Sequence, residues 1–530
     1  MEKAIGLAGD RAELIELGRT DGGRPVLLAR VRTTPAPEAP CVLVASGVVP
    51  GDVLGPLAAL TFLESVCADV PTGVADLYVL AALDLDLYER AMAGGGDPGG
   101  GVLPDDADRD GRTDEDGPDD LNGDGLVAQM AILDPEGDVT IDPMDGRVMV
   151  SAAGMGPRWR VIGTEGIDDD GDGRINEDDA GGLAPNLNFP SGWARAEAVD
   201  RYGSRKGLRP CAVGSVRSVV DWLVDRDEIA VAFVLRGGGE EAALRPAATA
   251  EELDGRAEAG AHDAVAAAFR SEGRDGAEAE AKDPGPDGAS GGGLASFLWS
   301  RRGVPTFTVG LWDLDRAEAL LADDEKPNAA AEASAADSTA EAPVAADDDS
   351  EDLSTEVRWA RWSDRVPGGV SPLAWTRQKH PDLGEVWIGG DASPFTRMNP
   401  PGSSVAEIAD DPVAFLRQSV GLAPEVTARG EVRRVEGGAL RVEVRVRETG
   451  ALPVYGDRAR ELRVGSDLWA ELSFDTGRLL AGFPRVRVDA DGEGWRRATW
   501  LVSDVRPEDL SVDIRAGSIG RRSVDLEVVQ

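Results

Sequence analysis

Gly181-Gly182-Leu183-Ala184-Pro185-Asn186-Leu187-Asn188-Phe189-Pro190-Ser191-Gly192-Trp193 follows directly on an acidic loop, Asp168-Asp169-Asp170-Gly171-Asp172-Gly173-Arg174-Ile175-Asn176-Glu177-Asp178-Asp179. The two segments interrupt a long alternation of strand and helix. Upstream, Cys41 to Ala45 is a short apolar run fit for a buried strand. After Gly55-Pro56 the apolar residues Leu57, Leu60, Leu63 and Val66 fall at helical spacing, with Pro acceptable in the first turn. Leu77 to Leu83 reads as a second buried strand. Downstream, Ser215 is placed to cap a helix carrying Val216, Val219, Val220 and Leu223. Ile229 to Leu235 and Pro305 to Leu311 read as third and fourth strands. Strands alternating with helices over about 300 residues predict an α/β sheet covered on both faces.

The chain has 530 residues, and its 55 basic against 97 acidic residues give a net charge of −42. With 42% apolar residues it can build real cores. A field this negative repels phosphates and argues against a nucleic-acid partner. No apolar run approaches the ~20 residues of a membrane helix, so no membrane insertion is expected. The first ten residues lack an apolar signal core, so the chain as written is expected to be cytoplasmic, with export open if the start is assigned too late. Three separated cysteines, Cys41, Cys67 and Cys211, offer no disulfide framework. The two histidines, His262 and His380, are too few for the usual catalytic zinc set and read as ordinary surface or turn residues.

Two features break the alternation further. Gly and Asp dominate an insertion at about 94–182, and an acidic low-complexity stretch at about 323–356 has no apolar face to bury. From about 425 the hydrophobic period becomes two. Leu440, Val442, Val444 and Val446 alternate with charged residues, and short strands follow to Val528. That pattern predicts a small antiparallel β-sandwich over 425–530, after an α/β domain over 1–420.

The strongest local chemistry is acidic. In the segment from Asp168 to Asp179, oxygens fall at relative positions one, three and five (Asp168, Asp170, Asp172), with Gly at six and acids at Glu177 and Asp179. Calcium takes six to eight hard oxygens on a bendable loop, and this spacing supplies them. Asp106, Asp108, Asp110 and Asp114 begin a second such loop, and Asp120, Asn122 and Asp124 a third. No flanking helix pair is evident, so EF-hand domains are not expected.

An Asp-rich loop running into Asn186-Leu187-Asn188-Phe189-Pro190 resembles the zinc carboxypeptidases, in their bacterial carboxypeptidase A-like branch. In that family the motif reads Asp-Leu-Asn-Arg-Asn-Phe-Pro. Other pieces fall in the same order. Val42 to Gly55 resembles the strand and turn carrying the family's His-x-x-Glu. Leu83-Asp84-Leu85-Asp86 resembles its Asn-Pro-Asp-Gly turn. Ile229 to Arg236 resembles the strand ending in its third metal ligand, and Phe307 to Asp313 the strand with its catalytic Glu. His380 to Gly390 and Phe395 to Pro401 resemble the end of the peptidase domain. The likeness covers roughly 15–420 and implies a mixed eight-stranded-type carboxypeptidase sheet flanked by helices, followed by the sandwich.

The family's chemistry is a zinc held by two His and a Glu, with a separate Glu as general base and an Arg clamping the terminal carboxylate. Carried over position by position, the first His falls on Val49 and the ligand Glu on Asp52. The second His falls on Arg236, the catalytic Glu on Gly310 and the clamp Arg on Leu187, while Asn186 is kept. The resemblance therefore implies zinc, and the residues predict its absence. The reading that follows is a pseudoenzyme, with Asp52, Asn186 and Arg236 lining a pocket for a peptide or protein ligand. Arg236 is expected to pair with Asp52 across it. Two alternatives stay open: a hydrolase with a rearranged metal site, and a calcium-dependent structural or surface protein.

Overall fold

The computed structural model describes residues 1–529, apart from 36–37, 74, 95–109, 114, 153–155, 177–182, 194–205, 239–242, 272–292, 325–352, 367–369, 392–393, 465–466 and 491–493. Its central sheet holds seven strands: β1 (Ala12–Arg19), β2 (Pro25–Val31), β3 (Cys41–Ala45), β4 (Asp76–Leu80), β5 (Ile229–Gly238), β6 (Leu244–Pro246) and β7 (Thr306–Trp312). Their order is β1-β2-β4-β3-β5-β7-β6. The inner strands β4, β3, β5 and β7 pair in parallel, and the outer pairings are antiparallel. Seven strands stand among the described residues where an eight-stranded type was expected. The sheet ends at the three-residue β6, whose last residue, Pro246, has no N–H to offer a further strand.

Side-chain alternation decides which face each residue serves. Val42, Val44, Val231, Phe233 and Leu235 join one core with Phe62, Phe269 and Phe415. Leu43, Ala45, Ala232 and Val234 join a second core on the other face, with Val216, Leu298 and Trp299. Helix α1 (Leu54–Ala68) covers the first face, together with helices Ala257–Ser271 and Val405–Ser419. Helices Gly214–Leu223 and Leu294–Arg302 cover the second. Burial on both faces explains why these strands are continuous apolar runs. The Gly214–Leu223 helix is not capped by Ser215 as expected. Its N-cap is Val213, and the Ser215 hydroxyl donates instead to the buried carboxylate of Asp84 at 2.7 Å.

The Gly/Asp-rich insertion carries structure of its own. Gln129–Leu133, Val139–Ile141, Met149–Ser151 and Trp159–Thr164 pair with the hairpin Leu373–His380 and Gly384–Gly390 in a six-stranded antiparallel sheet. These strands escaped the sequence reading because they are short and largely solvent-facing; in Trp159–Thr164 only Trp159 is buried.

The C-terminal region forms two facing sheets from Val426 onward, with Val442, Val444, Trp500, Val512 and Ile514 filling the space between them. All ladders are antiparallel except that between Val426–Arg434 and Leu526–Val529. This sandwich is fastened to the α/β unit by an exchange of helix caps. The first helical N–H groups of any helix lack intrahelical acceptors. Here the Ala257 N–H donates to Asp457 Oδ2 at 2.9 Å, and the Arg458 N–H donates to Glu258 Oε1 at 2.7 Å. Helices Ala257–Ser271 and Asp457–Leu462 thus cap each other with carboxylates, the sign a helix N-terminus favours. Nearby, a Cβ on Gly303 would lie 2.6 Å from the Ala459 Cα, and one on Gly517 2.5 Å from the Asp227 carbonyl.

Glu258 is fully buried, so Glu258→Ala strands the Arg458 N–H and opens a void. A loss of about 2 kcal/mol is expected. In scanning calorimetry the variant, combined with Asp457→Ala, should resolve the sandwich as a separate lower-melting transition. A single transition as sharp as that of the wild type would contradict the clamp.

Candidate functional site

Strand order places a crevice at the carboxyl ends of β3 and β5, because the chain leaves β3 toward β4 on one side and later returns to β5 on the other. Such switch points are where open α/β sheets bind ligands. The Ser46–Val53 loop, the N-terminus of α1 and Arg236 to Gly238 converge there. The crevice is filled by the protein itself. Asp52, 4% exposed, turns its Oδ1 back onto the Gly55 N–H at 2.8 Å, which makes it a cap for α1. Asn399 arrives from the far end of the chain. Its Oδ1 accepts from the Val53 N–H at 2.9 Å and the Leu54 N–H at 3.2 Å, and its Nδ2 donates to the Gly51 carbonyl at 2.8 Å.

Three glycines let these groups approach. A Cβ on Gly237 would lie 2.6 Å from both Asp52 Oδ1 and the Met398 carbonyl, and one on Gly238 would strike the backbone of Arg397. A Cβ on Gly55 would lie 2.5 Å from Asp52 Oδ2, 2.6 Å from Ser46 Oγ and 2.9 Å from the Leu235 carbonyl. Among the described residues Asp52 Oδ2 and Ser46 Oγ, both buried, have no hydrogen-bond partner. Burial pushes the Asp52 carboxyl up to about 6. The Gly55, Gly237 and Leu54 N–H groups and the charge of Arg236 act in the opposite direction, without cancelling it.

The remaining carried-over positions have the following surroundings. Val49 is buried beside Asp52 in sequence, and its carbonyl accepts the Asp52 N–H at 3.3 Å. Gly310 pairs with Arg236 across β7 and β5. Leu187 is buried, and the Asn186 Oδ1 accepts the Leu294 N–H at 3.2 Å. Asn188 staples its loop, donating to the Lys206 and Arg209 carbonyls and accepting from the Val213 N–H. Asn399, Ser46 and Gly237 are the crevice residues that sequence reasoning missed. Asn399 was visible only as part of a terminal motif, 346 residues from the helix it caps.

Among the described residues, two groups of three acidic side chains could share a metal ion, Asp110/Glu115/Asp170 and Asp168/Asp170/Asp172, and neither includes Asp52 or a histidine. Both histidines, expected at the surface or in a turn, are buried. His262 lies 4.7 Å from the Phe307 ring, and burial pushes it down to about 4. His380 sets its Nε2 2.7 Å from the Gly166 carbonyl and accepts at Nδ1 from the Asp382 and Leu383 N–H groups.

The acidic loops fold alike. Asp168 accepts from the Gly171, Asp172 and Gly173 N–H groups, and Asp120 accepts in the same pattern from Gly123, Asp124 and Gly125. Gly171, Gly173, Gly123 and Gly125 all have positive φ, between 75° and 92°. Asp116, fully buried, ties the loops together by accepting from the Asp169 and Asn176 N–H groups. Of the second expected loop, Asp110 is the one candidate among the described residues. It converges with Glu115, which the sequence reading passed over, on Asp170. Asp106, Asp108, Asp114, Glu177 and Asp179 lie outside the described residues.

A family described as Domain of unknown function (DUF8731) matches residues 427–527, within the sandwich. No curated protein sequence matches the chain. Solved structures similar to it include bovine thrombin-activatable fibrinolysis inhibitor, with 14% identity, a TM-score of 0.37, and 59% of this chain and 83% of that one covered. Carboxypeptidase A from Helicoverpa armigera follows at 12% identity and a TM-score of 0.33, covering 58% and 61%. A metallo-carboxypeptidase from Pseudomonas aeruginosa follows at 12% and 0.34, covering 79% and 66%. No helix among the described residues is long and apolar enough to cross a membrane.

Asp52 yields a pH prediction. Its folded-state pKa of about 6 lies above the ordinary 3.8. Its contribution to stability is therefore full below about 4 and lost as pH rises through about 6. Asp52→Asn keeps the acceptor for Gly55 and removes the buried charge. At pH 8 it should be more stable than the wild type by up to about 3 kcal/mol, with the gap closing by pH 4. Denaturant melts of both proteins across that range read the difference; a constant gap would contradict the assignment.

Proposed function

We propose that this protein is a catalytically silent carboxypeptidase-like protein, with an α/β domain over about 1–420 acting as a binding or scaffolding module and a sandwich domain over 425–530. The supporting observation is the use made of Asp52. The carboxylate at the family's ligand position is spent on capping α1 and lies against Gly237, which the Met398 carbonyl also approaches. Val49, Arg236, Gly310 and Leu187 stand at the other functional positions. None of them supplies a metal ligand, a general base or a carboxylate clamp, and the fixed charge of Arg236 opposes a cation. A peptide or protein is the fitting partner for such a module. Elemental analysis after zinc incubation, paired with an assay for release of C-terminal residues, should find far less than one tightly held zinc per chain and no release. One zinc per chain together with peptide hydrolysis would restore the hydrolase reading.

A second reading concerns the acidic loops and rests on the convergence of Asp168, Asp170 and Asp172, with Asp110 and Glu115 arriving on Asp170. We infer that they hold calcium. Like charges this close repel unless a cation coordinates them. At free calcium near one hundred times the dissociation constant, binding adds about 2.7 kcal/mol per site. The melting temperature should rise by a few degrees in calcium over chelator, more than in equimolar magnesium. Asp168→Asn with Asp172→Asn should abolish most of that rise; an undiminished response in the double variant would remove the site.

A further inference from the structure

At the end of the central sheet opposite the crevice, a cleft of about 380 Å³ opens between the α/β unit and the sandwich. It exists because the exchanged caps and the glycine contacts hold the two units together, and clefts between packed units are favoured places for ligands. Although the chain carries a net charge of −42, arginines from both units line this cleft.

Two of them are set up alike. Arg226, on the α/β wall, lies over the Trp222 ring with its guanidinium carbon 5.2 Å from the centroid. Arg485, on the sandwich wall, lies over Trp469 at 4.7 Å. An indole beneath a guanidinium restrains the plane of its fork and leaves the N–H edge for an acceptor. Most acids of the cleft are already engaged. Glu38 accepts from Arg515 at 2.7 and 2.9 Å, Asp227 from Arg302 at 2.8 Å, and Glu228 from the Tyr78 hydroxyl at 3.1 Å. The nearest approach of Arg226 to Glu228 is a long 3.6 Å, and its buried Nε has no hydrogen-bond partner among the described residues. The Tyr78 hydroxyl does not neutralise Glu228, so Arg226 and Arg485 stand against Glu228 and the exposed Asp225.

We propose that this cleft binds a small, multiply charged oxyanion, a phosphate monoester or a dicarboxylate, held from opposite walls by Arg226 and Arg485. Guanidinium forks supplied by the two walls of a cleft of about 380 Å³ suit a compact anion with several oxygens. A single carboxylate cannot engage both bidentately.

Isothermal titration of the full chain with inorganic phosphate and, separately, with succinate tests this, at one ionic strength set by chloride. One equivalent of at least one anion should bind, and which one binds names the carrier group. Arg226→Gln and Arg485→Gln should each weaken binding by about tenfold or more, roughly the loss of one charge-assisted contact. Arg447→Gln, at the separate Trp495 stack of the sandwich, should bind as the wild type does. Melting of the unliganded variants checks folding, and exposed Arg485 carries the test should Arg226→Gln unfold. Absence of saturable binding of both anions would overturn the proposal, as would wild-type affinity in both cleft variants.

Discussion

The N-terminus of α1 is the constraint around which the crevice is built. A helix pointing its first N–H groups into a buried crevice must find acceptors for them or lose much of its stability. Asp52 supplies one from the preceding turn, and Asn399 supplies a second from a segment that folds back over β5. Once both are in place, the backbone at Met398 lies against Gly237 and the space between the strand ends is closed. The crevice that the sheet topology opens is thus consumed by the need to cap the helix it faces.

The same logic accounts for the cost left in the site. Asp52 gains backbone hydrogen bonds on one oxygen, while the other faces Ser46 and the Leu235 carbonyl across a gap set by Gly55. A carboxylate in such surroundings is ionised against its solvation, and its affinity for a proton rises. Arg236 moderates this through its charge, while the amides do the holding. The backbone amides and the Arg236 charge together oppose the effect of burial on Asp52.

The central sheet was legible because its strands are apolar on both faces and its first helix has clean helical spacing. The reading of a degenerate site rests on residue type alone, because a Val, a Gly or an Arg cannot take the role of a His or a Glu. Asn399 was not, because nothing local to the sequence says where a side chain 346 residues away will dock. The insertion sheet was hidden by short, exposed strands among Asp-Gly turns. The two histidines were misjudged because composition around them, Ala-rich for one and a His-Pro turn for the other, says little about burial once helices and hairpins pack.

The long reach of these caps has a consequence for synthesis on the ribosome. Chains emerge at about 5–20 residues per second. The Val53 N–H meets its acceptor 346 residues later, so α1 waits roughly 20–70 s for its second cap. Helix Ala257–Ser271 waits in the same way for Asp457, 200 residues further on. Until residue 399 emerges the crevice stays unclosed, and until the sandwich is made the end of helix Ala257–Ser271 stays open. A chain truncated before residue 399 would lack both closures. The strongly acidic surface then serves a second purpose, keeping incomplete chains apart while they wait.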